Sequence, residues 1–211
     1  MKGRGIAVAL GLGALGTLAL MTGRRRPHVK DPAFSEPMVP PPPGPPAEHP
    51  PTITAVSYDD ARDWLAWAYS AETGELPSVA ELAMLLAHSA LETASWGKLR
   101  GFNFGNITAL GRDRPYFVLR GVTEYVGGKP VVVDMVFRWY PTVTLGAWDF
   151  VHTLRKTFTG AWSLLDSSNP TAYANALADA SYYTGPRDKY AAGLGKLFTE
   201  FMRRELARPG A

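Results

Sequence analysis

The 211-residue chain has no cysteine, and no acidic residue stands among its first 30 positions. The first absence excludes a disulfide scaffold, a cysteine–zinc site, an iron–sulfur centre and a thiol nucleophile. The second splits the formal charge of +3 in two. Lys2, Arg4, Arg24, Arg25, Arg26 and Lys30 give the first 30 residues a charge of +6. The remaining 181 residues carry 16 positive and 19 negative side chains, a net −3. A nucleic-acid binder carries its positive charge on the folded domain itself. The basic character here belongs to the N-terminus, and no nucleic-acid partner is expected. The length suggests one domain, or one domain with appendages.

Three zones follow one another. Residues 5–23 are uncharged and consist mostly of Gly, Ala and Leu. At about 1.5 Å per residue, 19 helical residues just cross a hydrocarbon core. The run with its basic flanks reads as a secretory signal or a membrane anchor, and export is common to both. A weak anchor able to leave the bilayer resembles the signal-arrest-release lysins of phages. Residues 27–51 hold 11 of the 18 prolines. They predict an extended, disordered linker over 24–56, a passive spacer or a docking segment for a proline-binding module.

Residues 57–208 have the composition of a folded domain, long enough to bury a core. Ser57 and Asp60 suit the start of a helix carrying Trp64, Leu65 and Trp67. Ser78 and Glu81 form a capping box that opens an apolar helix ending near Gly97. Residues 116–140 read as a β-hairpin turning at Gly127-Gly128. Further helices are expected at 145–157, from Asn169-Pro170 to about 181, and at about 189–206. No internal repeat is visible. The fold class is α+β, mainly helical, with one inserted hairpin.

Glu92 is the one acidic residue of its helix beyond the capping turn, and its neighbours include Leu85, Leu86, Ala90, Leu91 and Trp96. A poorly solvated carboxyl has a raised pKa and suits general acid chemistry. Spacing alone leaves open a Glu at an exposed helix end, paired with Lys98 or Arg100. His88, Glu92 and Trp96 follow at steps of four and would share a helix face. His88 reads as a core or rim histidine, and nothing at ligand spacing makes it a metal site.

The run Ala87-His88-Ser89-Ala90-Leu91-Glu92-Thr93-Ala94-Ser95-Trp96-Gly97 resembles the A-x-x-E-S-x-W-G segment of bacterial and phage glucosaminidases. These are lysozyme-like peptidoglycan hydrolases that include the flagellum-specific hydrolases. Asn103-Phe104-Gly105-Asn106-Ile107-Thr108-Ala109 is similar to the family's N-x-F-G-I-K-A turn, read with Asn106 as an inserted residue. Thr123-Glu124-Tyr125 and Phe137-Arg138-Trp139-Tyr140 resemble its T-x-E-Y hairpin and F-R-x-Y strand end. Ala180-Ser181-Tyr182-Tyr183-Thr184-Gly185-Pro186, then Tyr190-Ala191, resemble A-x-Y-A-T-D-P-x-Y-A, with Gly185 in place of Asp and a longer gap. The four pieces occur in family order over about 78–197.

This resemblance implies a lysozyme-like domain, a peptidoglycan substrate and an endo-β-N-acetylglucosaminidase activity. It implies Glu92 as general acid and Glu124 as second carboxylate across the cleft. Glu124 can equally be a solvated hairpin residue paired with Lys129 or Arg138. In that case water is oriented otherwise, or the substrate's acetamido group assists. Tyr140 and Tyr182 are the favoured substrate-binding aromatics, then Trp96, Tyr183 and Tyr190; core packing is the alternative for each. Asn103 is expected to shape the turn below Glu92 and is counted among the substrate-binding residues. The implied protein is a monomer without metal or cofactor, located in the periplasm or cell envelope and tethered to the inner membrane or released. A muramidase, a lytic transglycosylase and a non-catalytic wall-binding protein are the other readings.

Overall fold

A computed structural model describes residues 51–109, 115–126 and 129–208. The apolar run at 5–23 and nearly all of the Pro-rich segment lie outside the described residues. Among the described residues, no helix is long and apolar enough to cross a membrane.

Two short strands, β1 (Ile53–Thr54) and β2 (Leu99–Arg100), pair antiparallel. The ordered pairing thus begins upstream of residue 57, inside the span assigned to the linker. Between them lie α1 (Tyr58–Thr73) and α2 (Val79–Glu92). Ser57 caps α1 by accepting from the Asp60 amide. Ser78 and Glu81 complete the capping box of α2. The Glu81 carboxylate also accepts from the Tyr69 hydroxyl at 2.5 Å, so this buried acid is fully engaged.

From Glu81 to Glu92 every residue of α2 is buried. A helix apolar on all sides needs cover on all sides. α3 (Val143–Thr157), α4 (Thr159–Trp162), α5 (Pro170–Asp179) and α6 (Arg187–Leu206) complete the helical body, with a 3-10 turn at Leu165–Ser167. α2 packs most extensively against α6, while α1 lies on α3 and α5 on α6. Asn169 caps α5 with Pro170 in its first turn. The start of α3 falls two residues before its predicted position, and the start of α6 likewise.

The expected hairpin forms from β3 (Tyr116–Val126) and β4 (Lys129–Arg138), antiparallel, with a bulge between Leu119 and Val122. Gly121 sits in this bulge at φ +70, where an L side chain is strained. The hairpin owns a small core of Phe117, Met135 and Phe137. Its foot is tied to α3 by a buried cluster. Arg138 and Tyr140 both donate to the Asp149 carboxylate, at 2.6 and 2.5 Å. Arg138 also donates to Thr153. The architecture is α+β and mainly helical, as expected.

Candidate active site

α2 ends at Glu92, well short of the predicted end near Gly97. Ala94, Ser95 and Trp96 turn left-handed, with φ of 51, 52 and 60°. Such residues cost about 1–2 kcal/mol each and persist only where their surroundings fix them. Here the Ser95 amide donates to the Ala90 carbonyl at 2.7 Å, and the Lys98 amide to the Thr93 carbonyl at 2.9 Å. The Thr93 hydroxyl donates back to the Ser89 carbonyl and accepts from the Trp96 amide.

The chain reversal folds Trp96 back into the core. Its indole N–H donates to Ser89 Oγ at 3.0 Å, and its ring stacks on Phe201. The shared helix face expected for His88, Glu92 and Trp96 therefore does not form at Trp96. The reversal leaves Glu92 as the last helical residue, on the wall of a cleft of about 700 Å³.

Glu92 is only 5% exposed, and it pairs with neither Lys98 nor Arg100. Oε1 accepts from the Tyr190 hydroxyl at 2.8 Å, while Oε2 is buried without a hydrogen-bond partner. Desolvation raises the carboxyl pKa to about 8, against opposing hydrogen bonds from Tyr190 and Asn106. The C-terminal end of a helix also disfavours a further negative charge. At neutral pH this carboxyl holds its proton.

His88, one turn earlier, is fully buried, and burial pushes its pKa down to about 3. Its Nε2 lies 4.0 Å from Glu92 Oε1, so a neutral ring faces the acid rather than a cation. Nδ1 lies 2.8 Å from the Tyr173 hydroxyl. Phe150, Tyr173, Tyr182 and Tyr190 surround the ring edge to face. It is a core histidine. No group of His, Asp and Glu suited to hold a metal occurs among the described residues.

The hairpin supplies another wall of the cleft. Glu124 lines it and is 3% exposed. Its Oε2 accepts from the Thr184 hydroxyl at 2.6 Å, and Oε1 is buried without a partner. Burial raises its pKa, offset in part by Thr184. The alternative partner Arg138 is committed to Asp149 instead. Thr184 also accepts from the Tyr125 amide at 3.4 Å, so the α5–α6 loop and the hairpin meet at this residue.

Glu92 and Glu124 thus share one cleft, and of the expected aromatics Tyr190 lines it while Tyr140, Tyr182, Trp96 and Tyr183 do not. Tyr140 is spent on Asp149. Tyr182 donates to the Gly105 carbonyl at 2.6 Å. A Cβ at Gly105 would stand 2.7 Å from that hydroxyl and 2.5 Å from Phe150, so only glycine admits this contact. Tyr183 donates to the Ala174 carbonyl and stacks on Tyr190 at 3.8 Å. Asn103 is buried; it accepts from the Ile107 amide and donates to the Ile107 and Arg138 carbonyls. It shapes the turn, as expected.

The aromatics that do line the cleft are Phe117, Tyr125, Phe137 and Tyr190. Tyr125 adjoins Glu124 in the T-x-E-Y piece, which was the available clue. Thr184 and Asn106 carried no chemical clue in the sequence. Asn106 donates to the Glu92 carbonyl. Its φ of 46° lies in the left-handed region, which asparagine tolerates.

Two crystal structures from Sphingomonas sp. A1 share this architecture. A peptidoglycan hydrolase mutant aligns with a TM-score of 0.54 at 22% identity, over 70% of this chain and 95% of its own. The peptidoglycan hydrolase itself aligns at 0.50 and 22% identity, over 72% and 94%. The chain has the fold of these peptidoglycan hydrolases. A glycoside hydrolase domain of Salmonella typhimurium FlgJ aligns at 0.45 with 20% identity, over 72% of this chain and 92% of that domain. No protein-family model matches the chain, and no curated protein sequence does.

Proposed function

We propose that the protein is a peptidoglycan hydrolase, an endo-β-N-acetylglucosaminidase that cleaves the β-1,4 bond after N-acetylglucosamine. One observation carries this reading. Glu92 is a carboxyl kept protonated to about pH 8 on the wall of an open cleft, with a second carboxyl, Glu124, on the same cleft. A protonated carboxyl within reach of a glycosidic oxygen is the general acid of such a reaction. Likeness in fold to the peptidoglycan hydrolases supports the substrate class.

In the proposed reaction Glu92 gives its proton to the leaving oxygen, and Tyr190 holds the carboxyl through Oε1. As the bond breaks, the Tyr190 donor stabilises the carboxylate that forms. Glu124, once released from Thr184, faces the developing positive charge or takes a proton from the attacking water. Tyr125 offers an exposed ring on which a sugar can stack, with the buried rings of Phe117, Phe137 and Tyr190 backing the apolar wall. The basic, apolar N-terminus and the Pro-rich linker fit export to the cell envelope, with the domain held on a tether or freed after cleavage.

Product analysis tests the bond assigned. Digested peptidoglycan should yield new reducing ends on N-acetylglucosamine. Reducing ends on N-acetylmuramic acid would reassign the enzyme as a muramidase, and 1,6-anhydro ends as a lytic transglycosylase. If Glu92→Gln cleared cell walls as fast as the parent, the enzymatic reading would be wrong and a wall-binding role would take its place.

A further inference from the structure

Residues 57–208 carry 16 basic and 16 acidic side chains, and this zero net charge hides the charge of the cleft. Lys98, Arg100, Arg120 and Lys189 all line it, and they come from different elements. Lys98 and Arg100 stand on the turn after α2 and on β2, Arg120 on the bulge of β3, and Lys189 in the first turn of α6. Arg100 donates to the Pro51 carbonyl. The side chains of Lys98, Arg120 and Lys189 make no ion pair among the described residues.

Several cations elsewhere are matched. Arg187 pairs with Asp179, Arg204 with Glu200, Arg208 with Asp59 and Arg155 with Glu72. Among the described residues only two acids line the cleft, Glu92 and Glu124, and burial favours the neutral form of each. Cations on the low-dielectric walls of a cleft focus a positive potential onto what enters it.

Building on the hydrolase reading above, we propose that the cleft selects glycan strands bearing carboxylates, with Lys98, Arg120 and Lys189 as the specificity-determining side chains. A polymer of N-acetylglucosamine alone is neutral and offers these cations nothing. Each muramyl residue of peptidoglycan brings a carboxyl, free as the lactyl acid or carried onward by its peptide. The recognised chemistry is the carboxylate. Denuded strands and peptide-bearing strands separate its two sources.

The test compares the parent with the triple variant Lys98→Ala/Arg120→Ala/Lys189→Ala, whose melting temperature verifies folding. Exposed ion pairs are individually weak, so three together should change binding by about tenfold. Binding of denuded strands, peptide-bearing strands and neutral chitin oligosaccharides is measured on proteins that also carry Glu92→Gln, so that no turnover intervenes. The expected result is tighter binding of at least one carboxylate-bearing strand than of the neutral oligomer. That preference should weaken as salt rises and fall about tenfold in the triple variant. Equal, salt-insensitive binding of all three ligands, or an unchanged preference in a folded triple variant, overturns the proposal. Charge-selective binding together with a parent that cleaves none of the three would instead overturn the hydrolase reading and leave this one standing.

Discussion

Glu92 and Glu124 face one cleft from two very different supports. Glu92 ends a helix whose whole circumference is packed, and its neighbours His88, Tyr190 and Leu91 belong to the main core. Glu124 rides on a two-stranded ribbon with a three-residue core. Near its tip, Val126 is 65% exposed and Val132 73%. Isolated ribbons of this kind are marginal in water. Burial raises both carboxyls, yet only one environment is permanent. The setting of Glu92 lasts as long as the core does, whereas that of Glu124 ends when the Thr184 contact opens.

The largest expected effect tests the permanent side. Glu92→Gln should lower peptidoglycan turnover by about 10²–10⁴-fold, the usual contribution of a general acid. In the parent, kcat/KM should fall as pH rises through about 8, because the acid form is the active one. Stability should move the other way. The pKa of Glu92 is raised from 4.5 to about 8 on folding, so its contribution is full below 4.5 and is lost as pH rises to about 8. The Gln variant should therefore melt higher than the parent at pH 8, by on the order of 1–3 kcal/mol, with little difference at pH 4. A variant less stable at pH 8 would contradict the buried, protonated acid.

Next in size is the anchor of the hairpin. Asp149→Ala strands Arg138 and Tyr140 at a buried site and should cost about 3–5 kcal/mol in denaturant unfolding. A loss under about 1 kcal/mol would mean that the cluster does not hold the two regions together.

Glu124→Gln probes the hairpin side, with an expected fall in turnover of about 10²-fold, at the modest end of acid–base contributions. The decline in rate above pH 8 should persist, since it belongs to Glu92. Its disappearance would exchange the roles of the two carboxyls. Smallest of all, Thr184→Val removes the two hydrogen bonds that join the α5–α6 loop to the hairpin, the one donated to Glu124 and the long one accepted from the Tyr125 amide. It should change stability by about 0.5–1.5 kcal/mol. If Glu124 must leave Thr184 to act, turnover in this variant should equal or exceed that of the parent; a drop as deep as that of Glu124→Gln would assign Thr184 itself to the reaction.

Much of this was legible in order along the chain. The Ser78–Glu81 box and the Asn169-Pro170 start are local chemistry, and both caps form as read. The hairpin was readable from its alternation and its glycine pair. The end of α2 was not. Residues 93–96 look compatible with helix, and their left-handed run exists because Ser89, Thr93 and Phe201 hold Trp96 in the core. Tyr140, Tyr182 and Tyr183 turn away from the cleft for a related reason. A tyrosine's composition permits both stacking on a ligand and donation inside a core. The available acceptor decides between them, and Asp149, Gly105 and Ala174 lie far from their tyrosines in sequence or across a turn.

By itself the sequence determined the capped starts of α1, α2 and α5, the hairpin, the solitary acid in an apolar helix and the split between a basic N-terminus and a domain of no net charge. These rest on neighbouring residues or on simple sums of charge. Tertiary structure alone decided that Glu92 stays protonated, that Glu124 meets Thr184 and that four cations gather on the cleft of a domain with no net charge. Desolvation and the clustering of charge depend on what the rest of the chain brings within a few ångströms, and order along the sequence does not encode that distance.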